Sequence, residues 1–273
     1  MKRLVTSLIL LAGWPVAAHA DVVVTGTEQP GSRGPASEPS PRTVFISPRG
    51  IRMDEGKQSH VVDASNKTLL ELDHARKTVR RMTFKQLGEK LKGARQEADN
   101  AVADARNRMA ELPPGVRVKV EEAIRAQRSA MEARKPGAYK REPTGTRRTV
   151  NGFACEDVKE LLNGEWVGSA CVHKGVKLPE ADRKMLQKLS SDMQAEGLSG
   201  GGTDELTRAF LDGIPVEMSV RHPVTHELSV EESVQKIELK PVDTALFDAP
   251  KDYRELPWDA PERRGPPLPA RPR

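Results

Sequence analysis

A chain of 273 residues with 37% apolar and only 4% aromatic residues has room for one large domain or two small ones, with a core of Val, Leu, Ile, Ala and Met. Its basic residues exceed its acidic ones by five, and the two signs are interspersed. No basic stripe with interleaved aromatics is present, which excludes a nucleic-acid-binding face, and no phosphate loop or dinucleotide fingerprint calls for a nucleotide cofactor.

The first segment reads as a signal peptide. Lys2 and Arg3 give a positive start, Leu4–Gly13 is apolar apart from Thr6 and Ser7, and Ala18-His19-Ala20 is the small-x-small pattern of a cleavage site after Ala20. That run is too short to span a bilayer, and no later segment approaches the roughly 20 apolar residues that spanning needs. The expected product is an exported, periplasmic chain that starts at Asp21 and has no membrane span. Residues 21–42, rich in Pro, Gly, Ser and Glu, read as a disordered linker. Within them, Asp21–Thr27 resembles the energy-coupling box of TonB-dependent outer-membrane receptors, a segment that adds a strand to its partner's sheet. No large barrel follows it here, so a frayed end or an edge strand is the preferred reading.

From Thr43 the pattern turns to short β segments: Val44–Ile46, Ile51–Met53, His60–Asp63, Leu69–Leu72 and Thr78–Met82. Turns at Ser65-Asn66-Lys67 and near Asp73-His74 predict an antiparallel meander. At Thr83 the period changes. Thr83 and Gln86 form a capping box, and Phe84, Leu87, Leu91, Ala94, Ala98, Ala101, Ala105 and Leu112 recur at three- and four-residue steps. Pro113-Pro114-Gly115 ends that helix; Val116, Val120, Ala123, Ile124, Gln127 and Met131 mark a second. The short connection makes the two an antiparallel helical hairpin over Thr83–Arg134, an insert at about 83–135.

Strand-like sequence resumes near Tyr139 and runs to His173. Its two cysteines, Cys155 and Cys171, flank Leu161-Leu162-Asn163-Gly164-Glu165-Trp166, a hairpin signal. A two-residue turn would set Cys155 opposite Val172, whereas a three-residue loop sets Leu161 opposite Glu165 and Cys155 opposite Cys171. The longer loop brings the sulfurs together, and an exported chain keeps such a bridge. A redox pair or metal ligands are the alternatives, without the Cys-x-x-Cys spacing of a catalytic dithiol. A helix then spans Pro179 to about Glu196, with Leu178, Met185, Leu189 and Met193 on its apolar face. Two strands, Ile214–Val220 and Glu227–Leu239, turn around Arg221-His222-Pro223. In the second, Leu228, Val230 and Val234 share one phase and Ile237 and Leu239 the other, which implies a bulge. Residues 257–273, rich in Pro and Arg, read as a disordered tail.

Three stretches carry a family resemblance: Gly50–Gly56 leading to Val61–Asp63 and Leu69–Asp73; Val150–Cys155 with Trp166 and Cys171; and Gly213–Val216 with Pro241–Phe247 and Pro250. Helices set between runs of meandering strands in an exported chain resemble the LolA-like superfamily of periplasmic lipoprotein and lipid carriers. The arrangement is similar to a bacterial family of unknown function within that superfamily. The resemblance covers residues 43–256. It implies an α+β fold: a curved antiparallel sheet, an incomplete β-barrel, covered by helices that include the helical hairpin. In the carriers, the space between sheet and helices holds acyl chains.

Two constellations bear on catalysis. Gly197-Leu198-Ser199-Gly200-Gly201 satisfies G-x-S-x-G, with Asp204, Asp212, His222 and His226 following in hydrolase order. The elbow needs a strand that ends abruptly, and here a helix precedes a slack, glycine-rich loop, which reads as a hinge. His222 and His226 are separated by Pro223, which argues against a helical metal pair. The expectation is therefore a non-enzymatic periplasmic protein with no cofactor and no metal. Its expected partner is an apolar ligand, an acyl chain or lipid, faced by Val62, Leu70, Leu72, Val79, Val216, Met218 and Val230. Those residues would equally fill an ordinary core. The alternative is an envelope protein-interaction module that uses the helical hairpin; a serine hydrolase at Ser199 is the third reading.

Overall fold

The computed structural model describes residues 20–29, 39–109, 113, 115–122, 139–198, 207, 209–222 and 226–259. Its strands are β1 (Asp21–Glu28), β2 (Ser40–Ser47), β3 (Gly50–Glu55), β4 (Gln58–Asp63), β5 (Thr68–Asp73), β6 (Thr78–Thr83), β7 (Tyr139–Val150), β8 (Phe153–Leu162), β9 (Glu165–His173), β10 (Ile214–Arg221), β11 (Leu228–Lys240) and β12 (Arg254–Leu256). They form one open sheet in the order β12-β6-β5-β4-β3-β2-β1-β11-β10-β9-β8-β7. Only β12 runs parallel to its neighbour, β6. Helix α1 (Phe84–Met109) follows β6, helical residues 115–122 form α2, and α3 (Glu180–Ala195) lies between β9 and β10. This is an α+β protein dominated by a large antiparallel sheet.

The expected meander is present as β2 to β6, and the turn chemistry explains its register. The Asp63 carboxylate accepts from the Asn66 amide at 2.9 Å, and Asp73 accepts in the same way from Arg76 at 2.9 Å. Lys67 and Lys77 then take left-handed conformations that let each chain reverse. The capping box also forms: Gln86 N–H donates to Thr83 Oγ1 at 3.1 Å, and Thr83 N–H donates to Gln86 Oε1 at 2.9 Å.

The linker expected at 21–42 is corrected across half of its length. Residues 21–28 are strand β1, neither frayed nor at an edge but paired on both sides, with β2 and with β11. Val22, Val23 and Val24 are all buried, since a strand inside a sheet covered on both faces hides every side chain. Residues 40–42 open β2, and residues 30–38 lie outside those described. β1 thus joins the two halves of the sheet, β2–β6 and β7–β11. The expected disordered tail begins beyond β12, and residues 260–273 also lie outside the described set.

One face of the sheet is covered by α3. Met185, Leu186, Leu189 and Met193 pack with Val22, Val24, Ile46, Ile51 and Val62 into the main core, every member of which is buried. Val61, Leu70, Leu72 and Val79 gather instead around Phe247, in a second core under the 3-10 turn Thr244–Phe247. That turn belongs to a strap, residues 241–256, which leaves β11 and ends by pairing β12 with the exposed edge of β6. Arg49 fastens it through Asp248 at 3.1 Å and the Thr244 carbonyl at 3.3 Å, and Arg52 through the Leu246 carbonyl.

The hairpin expected to cover the sheet does not do so among the described residues. Of α1, Phe84 joins the main core and Leu87 packs half-buried against it, both in the first turn. Leu91 is 39% exposed and Ala94 and Ala101 are exposed, whereas Ala98 and Ala105 are half-buried and Val102 is buried. The reason is visible at Gly88, where an added Cβ would stand 2.3 Å from the Glu196 carbonyl oxygen. Here α1 crosses the end of α3 and then continues past the body as an arm. Val116 and Val118 of α2 are exposed as well, at 44% and 56%.

Candidate functional site

Cys155 and Cys171 are bonded, with Cα atoms 5.4 Å apart, and both are buried in the main core. The hairpin that carries them differs from the three-residue loop expected. Leu162 pairs with Glu165, so the loop has two residues, and Asn163 and Gly164 both take positive φ, 55° and 82°, as a type I′ turn requires. A bulge at Val167 then shifts the register, and Cys171 stands opposite Asp157. Cys155 lies two residues along the same side of β8, so the bridge is diagonal. Closing a loop with a separation of 16 residues contributes about 3 kcal/mol through the unfolded chain.

The residues expected to face a ligand do not converge on one space. Val62 and Val216 are in the main core, Leu70, Leu72 and Val79 in the second, and Met218 packs on a third small cluster of Val158, Ala170 and Val172. Val230 is 41% exposed. The expected bulge in β11 lies between Val234 and Lys236, but a second one between Val230 and Glu232 puts Val230 out of phase with Val234. The cavity nearest to the expected one is lined by Val24, Val44, Phe210, Pro215, Met218 and Val234, and its volume of about 30 Å³ suits one or two waters. A larger open cleft of about 410 Å³ has a mixed lining, with Lys174, Lys177 and Arg183 beside Val176, Leu178 and Phe210, and Lys174 and Arg183 already pair with Glu156 and Glu180.

Ser199 and Asp204 lie outside the described residues, as do residues 223–225 between the two histidines. His226 N–H donates to the His222 carbonyl at 2.9 Å, and His222 N–H to that of Glu227 at 2.8 Å, so backbone contacts hold that turn. Among the described residues, no group of three or more His, Cys, Asp or Glu is placed to hold a metal ion. No described helix is long and apolar enough to cross a membrane.

Three polar clusters were not foreseen. In the first, Ser59 Oγ lies 2.6 Å from His74 Nε2, and His74 Nδ1 lies 2.6 Å from the Tyr253 hydroxyl. This is the order of nucleophile, base and orienting group. Ser59 is fully buried, however, and its hydroxyl is already engaged by Asp54 at 2.5 Å and Arg52 at 3.0 Å, which leaves no approach for an electrophile. The cluster locks the strap to the meander. The second joins Arg141 to Glu160 at 2.8 Å, to the Tyr139 hydroxyl at 3.0 Å and to the Ala209 carbonyl at 2.9 Å. Burial pushes the Tyr139 phenol far above its usual range, and the neighbouring Glu160 adds to the shift, so it stays a neutral donor. In the third, Asp182 of α3 is fully buried with both carboxylate oxygens unpaired. Burial pushes its carboxyl up to about 7, and the charge of Asp21 adds to the shift.

An antiparallel sheet with a helix on one face, a strap on the other and one internal disulfide defines a structural class and no chemistry. The chain belongs to the family described as a domain of unknown function (DUF4412), which it matches over residues 107–253, more than half of its length. No curated protein matches it.

Proposed function

We propose that this is an exported, non-enzymatic envelope protein that works by docking through the helical arm, and that the arm's occupant is α1 of a second copy. The observation that carries this reading is the exposure of Leu91, Ala94 and Ala101 on the α1 stripe beyond Gly88, on which Ala98 and Ala105 are half-buried. Small residues along a seam let two helices approach closely. Charge supplies the choice of occupant. Residues 85–95 carry four basic residues and one acidic, whereas residues 97–109 carry Glu97, Asp99 and Asp104 against Arg106 and Arg108, a net acidic stretch. Two antiparallel copies therefore set the basic half of each arm against the acidic half of the other, a self-complementary two-fold contact.

Sedimentation of the exported protein is expected to show a dimer at low salt that weakens as salt is raised. Reversing Glu97 and Asp99 to lysine should weaken association about tenfold or more, and the further reversal of Lys92 and Arg95 to glutamate should restore it. A chain that stays monomeric at low salt overturns the proposal.

The second reading is the one that the LolA-like resemblance implies, a carrier of an acyl chain or lipid. Its support is the apolar lining of the small cavity at Val24, Val44, Phe210 and Met218, which Phe210 would have to vacate for an acyl chain to enter. Mass spectrometry of gently extracted protein should then find a stoichiometric acyl lipid; recovery of none ends that reading.

A further inference from the structure

Asp182 is the most anomalous side chain among the described residues. Placing a carboxylate inside a protein without a hydrogen bond or an opposite charge is costly, so such a group needs an explanation. Asp182 is the third residue of α3, its exposure is zero, and neither oxygen has a partner. The Pro179 cap also leaves the helix start without a side-chain capping bond. The charged neighbour acting on it is Asp21, another acid, which makes the site worse.

Asp21 is the first residue of β1 and is itself 5% exposed. Its position is set by the ladder, where it pairs with Lys240, and by its own carboxylate, which accepts the Val242 N–H at 2.7 Å. Its side chain is therefore already engaged. The next residue, Val22, is in the main core with α3. A chain end so deeply seated is unusual, since the first residues of a mature protein normally fray in solvent.

We infer that Asp182 is the receptor for the α-ammonium group that appears on Asp21 when the leader is removed. This rests on the export reading, with cleavage after Ala20. Hydrolysis of the Ala20–Asp21 peptide bond consumes one water. It leaves a carboxylate on the departing Ala20 and an amine on Asp21, which takes up a proton at neutral pH. A single amide donor becomes three ammonium donors carrying a full positive charge, beside an anion that lacks both. Before cleavage, the site holds two acids and no cation; afterwards, each end of the buried pair is matched. Processing thereby completes the fold, and the precursor carries an unpaired buried acid until the leader departs.

The test uses the exported protein with its native N-terminus, determined by terminal sequencing, and reads the acylation rate of the α-amine at pH 7. A paired ammonium is held protonated, so the folded chain should react about tenfold or more slowly than the same chain in urea. Asp182→Asn should bring the folded rate back toward the unfolded one. A chain retaining one extra residue before Asp21 should also react at the unfolded rate, and it carries the comparison if Asp182→Asn does not fold. A mature chain that starts elsewhere overturns the export reading and the pairing with it. A start at Asp21 with equal rates in folded and unfolded chains overturns the pairing alone, as does slow labelling that persists in folded Asp182→Asn.

Discussion

Phe247→Ala is expected to cost about 3–5 kcal/mol of stability, with loss of order along the whole strap. Phe247 is fully buried and is the only strap residue in the second core with no exposure, where it fills the space between Val61, Leu70, Leu72 and Val79. Removing the ring leaves a cavity beneath a 3-10 turn, and four residues of 3-10 helix have little stability of their own. The polar fastenings depend on that anchor. Lys77–Asp252 at 2.8 Å joins two groups that are both about 60% exposed, so it contributes little by itself. The expected result in urea is a lower midpoint, with hydrogen exchange accelerated at β12 and at the β6 edge that it covers. A loss below about 1 kcal/mol would mean that the strap is held by its polar contacts instead.

The meander, the capped start of α1 and the apolar face of α3 were legible because each is written in local residues. Alternation runs between turn formers in Val61–Asp63 and Leu69–Leu72, Thr83 and Gln86 stand three apart, and Met185, Leu189 and Met193 recur at helical spacing. The central place of β1 was missed because residues 21–42 are dominated in composition by their later part, and the three valines alone allow an edge strand as readily as an inner one. The α1 stripe announces an apolar face but not what lies opposite; that was decided by Gly88 meeting Glu196, residues 108 positions apart in sequence. The disulfide was foreseen although its loop was not. The bulge at Val167 carries no local signal, and it offsets what the Asn-Gly turn alone would dictate. Ser59, His74 and Tyr253 meet only through sheet register and the path of the strap, and Asp182 comes within electrostatic range of Asp21 only because α3 packs on β1.

Arg141→Ala should be nearly as severe, at about 3–5 kcal/mol, because it leaves a partly buried carboxylate without its cation. The side chains of Arg141 and Glu160 are 6% and 16% exposed, and the guanidinium serves Glu160, Tyr139 and the Ala209 carbonyl together. Those contacts fasten the outermost strand, β7, to β8 and to the helical residues before β10. The loss should therefore appear first as faster hydrogen exchange in β7 and then as a lower unfolding midpoint. Glu160→Gln in the Arg141→Ala background should recover part of the stability, since a neutral amide costs less to bury than an unpaired charge. Because the pair acts as one unit, the double variant should be more stable than the sum of the single losses requires. Strictly additive losses would show that Arg141 supports β7 through its packed stem rather than through its charge.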